Sequence, residues 1–358
     1  MRRQERHIVN GALIGIGIGA FLDILLQWLE HQKKGTEFNW ENYNGWRTIK
    51  TAAATGAVGA GMGYVAYQYK LTQEAKLPFC SDEYLQKVLR EEHIKADPLY
   101  FERVIKCREQ LKQWLVNRFG YALVAPPEDT GSFFKRTAIS SNFDLDIVLP
   151  FKKSSYSSLE EMYYDVFNAI GEKYFSLATV TKQTKAIGIT FHNDGLPIHF
   201  DIVPGREIKN YLVEKDLNLF VRPKWVWQRG SLFKTNIGAQ KKLTTNMPEV
   251  RKVIKLLKAY RDRNGLPLPT IIVEQCVIAA LSNKNYGVHP STTENLLNSM
   301  SFIAEMLGKQ CLIDATNSNN NLLDKIEEIH RSYVSNQLLK DIKRIEDNPR
   351  YVKEVFEL

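Results

Sequence analysis

Three carboxylates interrupt apolar stretches of this chain, and no other feature limits its folding so sharply. Residues 143–149 read Phe-Asp-Leu-Asp-Ile-Val-Leu, and residues 198–204 read Ile-His-Phe-Asp-Ile-Val-Pro. Runs of this kind predict β-strands, whose side chains alternate between two faces. Asp144 and Asp146 therefore project to one side of a strand, while Leu145, Ile147 and Leu149 face a core. Asp201 breaks the second run in the same manner. A charge in apolar surroundings is costly unless it is paired or binds metal. Either motif alone has a bland reading: a solvated Asp-x-Asp edge, or one satisfied buried carboxylate. Together they predict a site for Mg²⁺, a hard cation that takes oxygen ligands and is completed by substrate phosphates. Two such ions, or Mn²⁺ in their place, activate a hydroxyl and stabilise departing pyrophosphate.

Ahead of the carboxylates stands Gly131-Ser132, followed by Phe-Phe-Lys135-Arg136-Thr137. Gly-Ser is a common turn, and only its place before Asp144 gives it weight. Glycine lets the backbone approach a ligand closely and adopt positive φ. Amide groups beyond such a turn, with the Ser132 hydroxyl, are suited to the β- and γ-phosphates of a nucleotide. Lys135, Arg136 and Thr137 follow within reach of the same anion.

Gly131-Ser132, eleven further residues and then Asp144-x-Asp146 resembles the signature of the polymerase-β-like nucleotidyltransferases. The longer match is to the branch holding bacterial cyclic-oligonucleotide synthases (CD-NTases), cyclic GMP-AMP synthase and oligoadenylate synthetases. Val253–Tyr260 resembles the helix whose lysine, here Lys258, reaches the triphosphate in that branch. Leu268-Pro-Thr-Ile-Ile-Val-Glu274 resembles the next helix start, where Ser-Tyr is usual and this chain has Thr270-Ile271. Thr270 keeps the hydroxyl, and Ile271 removes an aromatic. Leu312-Ile-Asp-Ala-Thr with Asn321-Leu322 resembles a later segment, without its proline. The resemblance implies an α+β fold, with a polymerase-β-like core and a carboxyl-terminal helical lobe. It also implies Mg²⁺-dependent synthesis of a cyclic di- or oligonucleotide from nucleoside triphosphates, in bacterial anti-phage signalling. On this reading Asp144, Asp146 and Asp201 are catalytic and metal-binding, and Gly131, Ser132, Lys258 and Thr270 bind nucleotide. The alternatives are nucleotidyl transfer to RNA or protein, or a non-catalytic nucleotide sensor.

The first 75 residues are of different material. Gly11–Leu22 is twelve residues without a polar side chain, and Ala52–Tyr67 is interrupted only by Thr55. Gly11, Gly15 and Gly19 recur every fourth residue, as do Gly59 and Gly63, a spacing that lets helices pack closely in membranes. Residues 8–29 and 52–67 are thus expected to form a membrane hairpin, and its Gly-rich helices are also a surface for homo-oligomers. Trp28, Trp40 and Trp46 suit an interface, and Arg2, Arg3 and Arg6 favour a cytoplasmic amino end. Short spans and Asp23 oppose this reading, and a soluble hairpin is the alternative.

At 358 residues, 44% hydrophobic and 25% charged, the chain can bury an ample core. The expected division is 1–75 hairpin, 76–245 catalytic core, and 246–358 helical lobe. Four unpaired cysteines support neither a disulfide framework nor a zinc site. The net charge of +8 is concentrated between Arg222 and Arg263, with twelve Lys or Arg against two acidic residues. On the helix after Pro248, Arg251, Lys255 and Lys258 are expected on one solvated, charged face. Trp225 and Trp227 are candidates for stacking a base. Such basic surfaces attract triphosphates, nucleic acid or anionic lipid alike, so nucleic-acid binding stays open.

Overall fold

The computed structural model describes residues 3–33, 44–76, 78–140, 144–192, 196–223, 229–282 and 287–357. It divides into two units, which meet in sequence at residues 80 and 81. Arg2, Trp40, Phe143, Trp225 and Trp227 lie outside the described residues.

The first unit is a pair of antiparallel helices, α1 (Arg3–Lys33) and α2 (Gly45–Lys76). Small residues bring the two backbones together. A Cβ added at Gly15 would lie 2.2 Å from the Thr55 carbonyl oxygen, and one at Gly56 would lie 2.6 Å from Ile16. Asp23, only 2% exposed, does not stand alone. It accepts hydrogen bonds from Thr48 Oγ1 (2.6 Å), Gln27 Nε2 (2.7 Å) and Arg47 Nε (2.9 Å). Gln27 also exchanges bonds with the backbone of Asn44. The charge that opposes a membrane span is thus a latch between the helices. Outside this seam, Leu13, Ile14, Ile18, Phe21, Leu22, Leu25 and Leu26 are exposed. Among the described residues one stretch, Ala12–Gln32, is long and apolar enough to cross a membrane. Among the described residues the expected second span at 52–67 does not reach that mark, its apolar residues being diluted by four glycines, a threonine and two tyrosines.

The second unit is α+β. Helix α3 (Ser81–Glu91) is followed by α4 (Pro98–Phe119). Asp97 caps α4 by accepting from Tyr100 N at 3.0 Å, and Pro98 occupies the first turn, where no amide donor is lost. Val104, Leu111, Leu115 and Phe119 form its buried stripe. Strand β1 (Glu128–Thr130) leads into the one-turn helix α5 (Gly131–Phe134), then β2 (Leu145–Phe151) and α6 (Leu159–Tyr174). Strands β3 (Ala178–Lys182), β4 (Ile187–Phe191) and β5 (Ile198–Glu207) follow. After the turn α7 (Tyr211–Glu214) come β6 (Asp216–Val221), β7 (Ser231–Asn236) and α8 (Ile237–Lys242).

These seven strands make one mixed sheet, in which β2 and β5 are parallel neighbours at the centre. A parallel pair needs a long crossover, here α6, β3 and β4. Helices α4 and α6 pack with the sheet around Phe119, Ile147, Phe151, Tyr163, Phe200 and Ile202. A second core joins α3 to α9 (Pro248–Arg263), α10 (Thr270–Ser282), α11 (Thr292–Leu307) and α12 (Glu328–Asp347).

The carboxyl-terminal part is not wholly helical. A small hairpin, β8 (Ile313–Asp314) with β9 (Asn317–Asn321), takes in the asparagine-rich segment before Leu322. Asp314 organises it, accepting from Gln275, Thr316 and Asn320. Strands β3, β6 and β7 also lack a clear sequence signal. β3 is largely solvated, so its side chains carry no strict apolar alternation.

Candidate active site

The register of the central strands brings two of the expected carboxylates side by side. Asp146 pairs with Asp201 across β2 and β5, and with Thr130 across β1. Asp144 lies two residues before Asp146, at the mouth of β2, where it is exposed. Gly131 follows Thr130 directly with φ +64°, a conformation that L side chains rarely adopt. A Cβ there would lie 1.6 Å from Asp146 Oδ2. The glycine is therefore required both by the turn and by the carboxylate lying against it.

Electrostatics at this place favour a cation. Burial raises the Asp146 carboxyl to about 7, with the charges of Asp201 and Asp144 adding and Lys135 partly offsetting. Asp144, although exposed at the strand mouth, is raised as well, by partial desolvation among its neighbours, with His199 partly offsetting and Asp201 adding. No described residue donates a hydrogen bond to the Asp146 carboxylate. Asp201 Oδ1 instead accepts from Gln183 Nε2 at 2.7 Å and meets His199 Nε2 at 3.0 Å. His199 rests against Thr190 Oγ1 through its other nitrogen, and its hydrogen bond with Asp201 raises its pKa. Among the described residues no group of three His, Cys, Asp or Glu side chains is gathered closely enough to hold a metal as the side chains stand. The donors themselves are hard oxygens that repel one another, and that chemistry fits Mg²⁺.

Beyond Gly131 the chain is held from below. Ser132 is half-buried, and its carbonyl accepts from Thr137 N (2.9 Å) and Ala138 N (3.2 Å). Lys135 Nζ forms an ion pair with Glu274. Lys258, from α9, donates to Glu274 Oε1 at 2.8 Å, to the Thr137 carbonyl at 3.1 Å and to Thr137 Oγ1 at 3.3 Å. It is 4% exposed and Glu274 is 2% exposed. Burial alone would raise the Glu274 carboxyl, but the two lysines outweigh it and bring it to about 2. Burial lowers the Lys258 ammonium, against the pull of Glu274.

The expected charged face of α9 is corrected accordingly. Lys258 is an interior residue paired with Glu274. Arg251 is spent on the Thr244 carbonyl, and Lys255 is half-buried. Thr270 opens α10, exposed, with its hydroxyl accepting from Arg261. Ile271, which replaces the aromatic, packs onto the helical core. His199 and Glu274 had readable signals: one shares a strand face with Asp201, the other interrupts an apolar helix. Gln183 had none, since only the β3–β4 pairing brings it to Asp201.

No protein-family model matches the chain, and no curated protein matches it in sequence. Solved structures do match. The CD-NTase CdnG of Bradyrhizobium diazoefficiens in complex with GTP is similar at a TM-score of 0.61 and 13% identity, over 78% of this chain and 95% of that one. CdnC of E. coli MS115-1 with ATP is similar at 0.59 and 17% identity, over 77% and 97%. Its complex with HORMA-deltaN gives 0.58 and 17%, over 76% and 96%. The chain has the α+β fold of the bacterial CD-NTases, a polymerase-β-like core with a helical lobe.

Proposed function

We propose that this chain is a Mg²⁺-dependent nucleotidyltransferase that joins nucleoside triphosphates into a cyclic di- or oligonucleotide. The observation that carries the reading is the pairing of Asp146 with Asp201, beside Asp144 and against Gly131. Asp144, Asp146 and Asp201 would hold the metal. Mg²⁺ would supply neutralisation of the reacting phosphate and ease deprotonation of the attacking hydroxyl. Gly131 and Ser132, with Lys135 beside them, face the triphosphate, and Thr270 offers a further hydroxyl. Lys258 serves the same site from behind Lys135. A ribose 2′- or 3′-oxygen forms a bond to the α-phosphorus, and the bond from that phosphorus to the β-phosphate bridging oxygen breaks. Pyrophosphate leaves, and Asp201 accepts the hydroxyl proton. Repetition and a final intramolecular attack close the ring.

Residues 76–245 carry the carboxylates in this reading, and 246–358 form the helical lobe behind them. ATP and GTP in the similar structures support triphosphate substrates. The resemblance to that branch supports a role for the product in bacterial anti-phage signalling. Mass spectrometry of the products from all four nucleoside triphosphates with Mg²⁺ tests the reading. A phosphatase-resistant cyclic nucleotide is expected. Label appearing only in added RNA or in protein would favour macromolecular transfer instead.

The exposed apolar side chains of α1 support a further reading, that the hairpin sits in a membrane and the catalytic unit lies on its cytoplasmic side. Full-length protein is then expected to sediment with membranes and to be released by detergent, not by high salt. Recovery in the supernatant without detergent would contradict this.

A further inference from the structure

We propose that Lys185, with Lys325 beside it, binds the 5′-phosphates of the nucleotide that supplies the attacking hydroxyl. This rests on the nucleotidyltransferase reading above. Lys185 lies in the turn between β3 and β4, and that turn is tied to the reacting centre. Gln183, two residues earlier, donates to Asp201 Oδ1 at 2.7 Å. The ammonium of Lys185 stands 3.1 Å from the centroid of the Phe233 ring. Phe233 and Val203 pack onto the small core of Val148, Leu217 and Leu219. Val148 and Val203 follow Asp146 and Asp201 by two residues and so share their strand face. The lysine thus stands over the same face of the sheet as the carboxylates.

Its charge is not neutralised there. Lys185 is half-buried, and among the described residues no acceptor lies within hydrogen-bond reach of its ammonium. The carboxylate that acts on it, Asp314, is already taken by Gln275 Nε2 (2.7 Å), Thr316 Oγ1 (2.8 Å) and Asn320 Nδ2 (2.9 Å). Burial lowers the Lys185 ammonium to about 8, with Lys325 adding and Asp314 partly offsetting. Two ammonium groups against one occupied carboxylate leave an excess positive charge. Partly shielded from water, it holds an anion more firmly than an open surface would.

The side of the centre on which it lies identifies the anion. In the sheet order β1-β2-β5-β4-β3, the Gly131 turn follows β1 and the Lys185 turn joins β3 to β4. The two turns therefore flank the paired carboxylates. In-line displacement brings the attacking oxygen in opposite the departing pyrophosphate. With the triphosphate under attack on Gly131 and Ser132, the second nucleotide enters from the β4 side, and its own phosphates meet Lys185.

Substrates that can play only one part separate the two nucleotides. A 2′,3′-dideoxynucleoside triphosphate has no ribose hydroxyl to attack with and can only be attacked. An α,β-methylene triphosphate cannot release pyrophosphate and can only attack. Linear dinucleotide formed with Mg²⁺ would be measured for wild type, Lys185→Met and Lys185→Arg, with each of the four bases in each part. Lys185→Met should raise KM for the attacking triphosphate about tenfold or more. KM for the attacked triphosphate should stay within about twofold. With an unphosphorylated nucleoside as attacker, wild type and Lys185→Met should match. Lys185→Arg keeps the charge and should stay within about threefold of wild type. A rise in KM for the attacked nucleotide, or an equal loss with the nucleoside attacker, overturns the proposal. Either would mean that the turn acts only by holding Gln183 against Asp201. Wild type that releases no pyrophosphate from any natural nucleotide would instead overturn the enzyme reading, and this inference with it.

Discussion

Asp146→Asn is expected to abolish nucleotide joining while making the metal-free protein more stable at pH 8. Both effects have one source. The Asp146 carboxyl lies against Gly131 and beside Asp201, and burial with the neighbouring charges raises it to about 7 from an ordinary 3.8. In the folded state it therefore holds its proton over a range where the unfolded chain has lost it. Stability contributed by such a group is complete below the unfolded value and declines as pH rises from about 4 to about 7. Asparagine has nothing to titrate, so the variant escapes that loss. Each pKa unit corresponds to about 1.4 kcal/mol, and the gain at pH 8 should be a few kcal/mol. It should shrink as pH falls and vanish near pH 4. Adding Mg²⁺ should reverse the order, because wild type gains binding energy that the variant cannot. Thermal melts at pH 4, 6 and 8, with and without Mg²⁺, check each part. An active Asp146→Asn enzyme would remove this carboxylate from the metal site.

Gly131→Ala should be nearly as damaging to activity, although it adds a single methyl group. The φ of +64° disfavours any L side chain by roughly 1–2 kcal/mol. The larger effect is steric, since the methyl would sit 1.6 Å from Asp146 Oδ2, and one of the two must move. Displacing a reacting group by about an ångström can lower rate on the order of a hundredfold. The variant should keep its fold, lose about 1–2 kcal/mol of stability, and fall at least about a hundredfold in kcat/KM. Asp146→Ala in the same chain should relieve the clash but leave the cost of the positive φ, and should not restore activity. Unchanged kinetics for Gly131→Ala would mean that the Asp146 position is not critical.

The reacting centre was legible because its residues violate the pattern around them. Asp146 and Asp201 stand where apolar residues belong, and strand periodicity puts each on a defined face. What the sequence could not give was partnership at long range. Lys258 looked like surface because Arg251 and Lys255 share its helix. Its partner Thr137 lies 121 residues away, and Glu274 is on the next helix. The same logic that exposed Asp146 applies to Glu274, a carboxylate within Ile-Ile-Val-Glu-Gln-Cys-Val, but only the fold supplies its two lysines. Asp23 was read as a liability for the same reason. Its hydrogen bonds come from Thr48 and Arg47, across a hairpin whose register no local pattern specifies. Strands such as β3 were missed because a solvated edge strand has no core face to write into the sequence.

Pyrophosphate release by the purified full-length protein, supplied with all four nucleoside triphosphates and Mg²⁺, tests the central claim most directly. Sustained release that stops on chelation of the metal, and is absent from Asp144→Ala with Asp146→Ala and from Asp201→Asn, is the expected result. No release from any nucleotide by folded wild type with Mg²⁺ or Mn²⁺, or equal release by the carboxylate variants, would contradict it.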